Sequence, residues 1–69
     1  MKLSARNTIK GTIKNVVLGP VSAEVTLRVA SGLDVVSVIS TGSAKALKLK
    51  KGKKAYAIIK ASNVMIGVD

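Results

Sequence analysis

Val21-Ser22-Ala23-Glu24-Val25-Thr26-Leu27-Arg28-Val29 is the stretch from which the fold is read. Val21, Ala23, Val25, Leu27 and Val29 alternate with Ser22, Glu24, Thr26 and Arg28. Successive side chains of a strand point to opposite faces, so this alternation predicts a strand with one buried and one wet face. Turn signals bound it: Leu18-Gly19-Pro20 before, Ser31-Gly32-Leu33-Asp34 after. Upstream, Asn7 to Val17 alternates loosely through Ile9, Gly11, Ile13 and Val16-Val17, which predicts a strand with a bend or bulge near Gly11. Downstream, Val35 to Ile39 predicts a third strand.

The period then changes. Thr41 to Leu49 reads as a short helix with Ser40 or Thr41 as its N-cap. Lys50-Lys51-Gly52-Lys53-Lys54 is a basic turn. Ala55 to Lys60 predicts a fourth strand, with Tyr56, Ile58 and Lys60 opposed to Ala55, Ala57 and Ile59. Ala61-Ser62 is a tight connection, and Asn63 to Val68 predicts a fifth strand. Five short strands with one helix after the third predict an all-β fold, an OB-like Greek-key barrel, with residues 1–69 forming one domain.

A 69-residue chain buries too little surface to be comfortably stable alone. It has no Cys and no His, which removes disulfides and the commonest zinc ligands. Glu24, Asp34 and Asp69, its only carboxylates, are too scattered to cage a free metal cation. Association with other chains is the remedy left. No run approaches the ~18 apolar residues of a membrane span, and Met1-Lys2-Leu3-Ser4 lacks the apolar core of a signal peptide, so a cytoplasmic location is expected.

The net charge of +9 attracts anions. A nucleic-acid-binding OB-type module is one reading of that charge, but Tyr56 is the sole aromatic and offers a poor platform for stacking bases. Enzyme readings do worse. There is no His, no Cys nucleophile, no paired carboxylates and no Gly-rich phosphate loop. A Ser–Lys dyad of Ser4 or Ser43 with Lys60 is conceivable, and no local motif supports it.

Three places carry anion-binding groups. Ser4-Ala5-Arg6-Asn7 offers a hydroxyl, a guanidinium, an amide and backbone N–H groups; the bland reading is a polar lead-in to the first strand. Ser40-Thr41-Gly42-Ser43 sets two hydroxyls at a spacing of three beside a helix start; ordinary N-capping accounts for it equally well. Lys60-Ala61-Ser62 places an ammonium at a strand end, where lysines are usually just solvated. Lys45, Lys48, Lys50, Lys51, Lys53 and Lys54 read as a solubilising surface or an electrostatic funnel.

Ser-Ala-Arg-Asn at 4–7, Ile9-Lys10-Gly11, Ala23-Glu24-Val25 and the closing Ala57-Ile58-Ile59-Lys60-Ala61-Ser62-Asn63-Val64-Met65-Ile66 together resemble the molbindins, or Mop proteins, of the transport-associated OB-type (TOBE) domains. The resemblance runs from residue 3 to residue 68. It implies a non-enzymatic protein that binds molybdate or tungstate for intracellular storage or homeostasis and needs no cofactor. It also implies a homohexamer, a trimer of dimers, with oxyanion sites at dimer interfaces and near three-fold axes. By motif, Ser4 and Arg6 of one subunit would meet Ser40, Ser43, Lys60 and Ala61 of another, Arg6 acting partly through its main chain. Ala5, Asn7 and Ser62 are further candidates. One departure is that relatives carry more acidic residues where this chain has its lysine cluster. The chemistry suits the ligand: molybdate is a fully deprotonated tetrahedral oxyanion that only accepts hydrogen bonds, and hydroxyls, N–H groups and an ammonium only donate to it.

Overall fold

The computed structural model describes residues 6–69. Four strands form one antiparallel sheet: β1 (Asn7–Leu18), β2 (Ser22–Val29), β3 (Asp34–Ser40) and β4 (Lys54–Ile59), in the order β3-β2-β1-β4. The helix α1 (Thr41–Ala46) follows β3. β2 is buried as its alternation predicts: Ala23, Val25, Leu27 and Val29 face inward, between exposed Ser22, Glu24 and Arg28.

β1 serves two partners. Asn7 to Thr12 pair with β4, from Asn7 opposite Ile59 to Thr12 opposite Lys54. Gly11 to Leu18 pair with β2, from Gly11 opposite Val29 to Leu18 opposite Ala23. The register shifts between Ile13 and Asn15. An extra residue there flips the inward set, so Ile13 and Val16 both meet the core though three apart. The bulge thus lies a few residues beyond Gly11, the position that the sequence suggests. Gly11 instead permits a close approach of backbone: a Cβ there would meet the Arg28 carbonyl oxygen at 2.5 Å and Leu27 Cγ at 2.9 Å.

The core is Ile13, Val25, Leu27 and Val29, with Val16, Val35, Ile39, Leu49, Ala55 and Ala57 packed against it. Ile13, 1% exposed, is its centre. Its N–H donates to the Lys53 carbonyl at 2.8 Å and its carbonyl accepts from the Gly52 N–H at 2.8 Å. The basic turn is therefore bonded to the bulge of β1, with Gly52 at φ +90°.

α1 is shorter than the predicted 41–49. The Lys48 N–H donates to the Lys45 carbonyl (3.0 Å) and the Leu49 N–H to the Ala44 carbonyl (3.1 Å), the paired bonds of a Schellman stop. That stop needs a left-handed residue, and Lys48 supplies it at φ 54°. Lys53 Nζ donates to the Leu47 carbonyl at 2.7 Å, placing a cation at the helix C-terminus.

Residues 61–63 form a 3-10 turn, and 64–69 have no regular structure. The predicted fifth strand is thus not formed in this single chain. A strand exists only against a neighbour that takes its N–H and C=O groups, and this segment has none among the described residues. The sheet therefore curls as a half-barrel. An open, largely apolar groove of about 660 Å³ is lined by residues including Leu27, Val35, Ile39, Leu49, Ala55 and Ile59.

Two substitutions test this account by urea denaturation. Gly11→Ala should destabilise the chain by about 1–3 kcal/mol, because backbone has to move to admit the methyl. Lys48→Gly should stabilise it by about 0.5–1 kcal/mol, since glycine adopts the left-handed stop without the Cβ clash.

Candidate anion-binding site

Ser40 ends β3 and caps α1. Its Oγ accepts from the Ser43 N–H at 3.0 Å and its hydroxyl donates to Ser43 Oγ at 2.8 Å. Ser40 thereby spends its proton inside the pair, and the Ser43 hydroxyl proton is the one left to give. The pair is exposed and rigidly mounted. The neighbouring Thr41, 9% exposed, donates its hydroxyl to the Gly19 carbonyl (2.7 Å) and its N–H to the Val21 carbonyl (2.9 Å), tying the helix start to the β1–β2 turn. Capping and ligand binding are compatible here, because the cap uses Ser40 and leaves Ser43 outward.

A second group of donors gathers at the far end of the sheet. Asn7 is opposite Ile59, and Asn7 Nδ2 donates to the Ile59 carbonyl at 3.3 Å. This places Arg6 and Asn7, at the start of β1, next to Lys60, at the end of β4. Lys60 leads into the 3-10 turn Ala61–Asn63, which is held by the Asn63 N–H donating to the Lys60 carbonyl at 2.9 Å. Arg6, Lys60, Ala61 and Ser62 are all exposed. Ser4 and Ala5 lie outside the described residues.

The two groups stand at opposite ends of the sheet. Lys60 is level with the beginning of β1. Ser40 pairs with Ser22, which lies beyond the other end of β1. β1 has 12 residues, and at about 3.3 Å per residue that is a long way for one chain to bridge. The pairing brings Arg6, Asn7 and Lys60 together and Ser40 and Ser43 together; it does not join the two sets within one chain.

Several cations are already employed. Arg28 Nε and Lys14 Nζ both bond Asp34, at 2.6 and 3.0 Å. The hydrogen bond from Arg28 and then that from Lys14 hold the Asp34 carboxyl below its usual range, at about 2, so it stays ionised at neutral pH. Lys54 Nζ donates to Thr12 Oγ1 at 2.8 Å. Tyr56 is half exposed on the outer face opposite Lys10, one ring with no second aromatic to extend a stacking surface. The apolar groove offers an anion little to bond, so the charged ligand chemistry lies at the sheet ends. No group of His, Cys, Asp or Glu that would hold a metal ion exists among the described residues, and none of their helices is long and apolar enough to cross a membrane.

The TOBE domain model matches residues 3–66. A probable molybdenum-pterin-binding protein of Haemophilus influenzae is 45% identical over 69 residues, the full length of both chains. The chain belongs to the TOBE domains of the molybdenum-pterin-binding (Mop) family. Its fold agrees with solved members. MopII from Clostridium pasteurianum superposes with a TM-score of 0.93 at 39% identity, covering 97% of this chain and 100% of that one. The cytoplasmic molybdate-binding protein ModG, in a form with molybdate bound, superposes with a TM-score of 0.96 at 45% identity. All of this chain matches 49% of the ModG chain. This is a family of binding proteins, not enzymes.

The Ser40 cap is open to direct measurement. Ser40→Ala should cost about 0.5–2 kcal/mol in urea denaturation, the usual worth of an N-cap hydroxyl. The Ser43→Ala chain, which keeps the cap, should lose less.

Proposed function

We propose that this TOBE domain binds molybdate and tungstate as free oxyanions, at sites between subunits of a homo-oligomer, and serves cytoplasmic storage or homeostasis of the anion. The observation that carries the reading is the match of the whole chain, at 45% identity, to ModG with molybdate bound. The donor chemistry supports it. Ser43 hydroxyl, Lys60 ammonium and the N–H groups around Arg6 and Ala61 only donate to an oxyanion that only accepts. Phosphate keeps a proton part of the time and wants an acceptor, which this set lacks. Sulfate is smaller, so discrimination against it falls to the size of the cavity. Tungstate matches molybdate closely and is bound with it.

The two-ended distribution of donors supports a site between chains. A hexamer built as a trimer of dimers, with the barrel of each subunit completed to five strands, is the assembly this reading favours. We assign Ser4, Arg6, Ser40, Ser43, Lys60 and Ala61 to the site, with Ala5, Asn7 and Ser62 as neighbours. Because the sheet separates them, Ser43 and Lys60 of one site come from different subunits, whereas the family motif alone groups them on one.

Titration calorimetry tests the ligand. Molybdate and tungstate should each bind at least tenfold tighter than sulfate or phosphate, a gap of ~1.4 kcal/mol; sulfate binding as tight as molybdate would remove the reading. Lys60→Met, which keeps the apolar stem, should weaken molybdate binding by about ten- to a hundredfold, the worth of one hydrogen bond to a charged group at roughly 1.5–3 kcal/mol. Mixing chains locates the donors. In a heterodimer of a Lys60→Met chain with a Ser43→Ala chain, donors from different subunits leave one site intact and one doubly impaired. Donors from the same subunit leave each site with one defect, and no wild-type affinity returns.

A further inference from the structure

The molecule has an unfilled groove and an unpartnered segment of matching chemistry. β3 and β4 are the two edges of the sheet. Edge strands present rows of free N–H and C=O groups. The groove of about 660 Å³ runs along both edge strands and is lined by Val35 and Ile39 of β3 and Ala57 and Ile59 of β4. The C-terminal segment carries Val64, Met65, Ile66 and Val68, exposed to 47%, 92%, 88% and 93%. Nothing about this segment opposes a strand. It lacks Pro, its only charge is the terminal Asp69, and Val64, Ile66 and Val68 would share one face.

We propose that residues 64–68 of one copy fill the groove between β3 and β4 of a second copy as the missing fifth strand, while the second copy returns its own segment. The segment leaves β4 through the turn Ala61–Asn63, held by the Asn63 to Lys60 bond at 2.9 Å and the Val64 N–H to Ala61 carbonyl bond at 3.3 Å. On that course it stands almost wholly exposed and its own groove stays open. A second copy offers the same groove and needs the same segment. Reciprocal exchange is therefore self-complementary and closes as a two-fold pair. It pairs both open edges of each chain and covers their apolar segments, on the order of 1,000 Å² or more counting both copies, the size of a specific interface. Lys60 and Ala61 immediately precede the segment, so exchange carries those candidate anion donors to the seam between chains. The inference deepens the assembly part of the proposed function and does not depend on the anion.

The chain has no cysteine, so introduced thiols report cleanly. Ser37 lines the groove on β3 and Ile66 is the middle of the segment. A Ser37→Cys chain is coexpressed with an Ile66→Cys chain, purified under reducing conditions, oxidised and run on a non-reducing gel. Exchange predicts a covalent heterodimer as the main product, and a two-bridged covalent dimer from the Ser37→Cys,Ile66→Cys double variant. A double variant that closes within one chain, together with no heterodimer from the mixture, overturns the proposal. Sedimentation gives an independent check. Ile66→Asp should shift the native assembly toward smaller species at micromolar concentration, and an unchanged assembly overturns the proposal. Molybdate titration of the cross-linked dimer separates the two readings. Cross-links without anion binding leave the exchange standing and remove the anion; anion binding without interchain cross-links does the reverse.

Discussion

A single strand has to satisfy neighbours on two sides, and the rest of the fold follows from how β1 does so. Its first half holds β4 and its second half holds β2. A regular strand pairs both sides along its whole length and makes a flat sheet. β1 instead changes register between Ile13 and Asn15, and bulged strands bend and twist more strongly. The bend is fastened where it occurs: Ile13 is buried in the core and its N–H and C=O are both bonded to the turn at Gly52–Lys53. Curling brings Val35 and Ile39 of one edge and Ala57 and Ile59 of the other round a common groove. The same geometry sends Arg6 and Lys60 to one end of the sheet and the Ser40–Ser43 pair to the other.

What can be read from the sequence tracks what is local. The alternation of β2 and the split faces of β4 are properties of the strands themselves, and both are found as expected. Ser40 is legible as a cap because capping needs only a hydroxyl three residues before an N–H. The bulge falls later than the sequence suggests because Gly11 looks like a backbone hinge, whereas the structure uses it for close approach to Arg28 and Leu27. The helix ends earlier than expected because lysine is not a stop signal; only the bonds from Lys48 and Leu49 reveal it. The segment 63–68 has the composition of a strand, but a strand is a relation between two segments. The candidate site divides in the same way. The Ser40–Ser43 spacing is visible in the chain, and the resemblance to the Mop family names the remaining donors. The adjacency of Arg6 to Lys60, and the separation of both from Ser43, come from the β1–β4 and β2–β3 registers, which no local pattern states.

The lysine-rich stretch is less uniform than its composition suggests. Lys53 holds helix carbonyls, Lys54 bonds Thr12, and Lys48 makes the helix stop. Lys14 and Arg28 share Asp34. Lys45, Lys50 and Lys51 are exposed. Exposed charges act mainly on encounter, over a screening length of roughly 10 Å at 0.1 M salt. They draw anions toward the surface without taking part in the fit.

That surplus of positive charge constrains any assembly of the chain. Copies at +9 each repel one another, and the repulsion grows with every subunit added. In the proposed assembly the apolar contacts have to outweigh it, and they are insensitive to charge. An oxyanion bound at a seam changes the balance locally, because it removes positive charge at Lys60 and Arg6, where the repulsion is least screened by distance. By mass action, a ligand that binds only the assembled form stabilises that form. Anion binding and subunit association are then coupled in one free energy, and the coupling is reciprocal: an anion that tightens the assembly is itself held more tightly by it. Added salt weakens the repulsion and the attraction to the anion together, so the coupled system is less sensitive to ionic strength than either half alone. A basic chain with intersubunit anion sites thus uses its ligand as a structural counter-charge, which an equally basic monomer would have no means of doing.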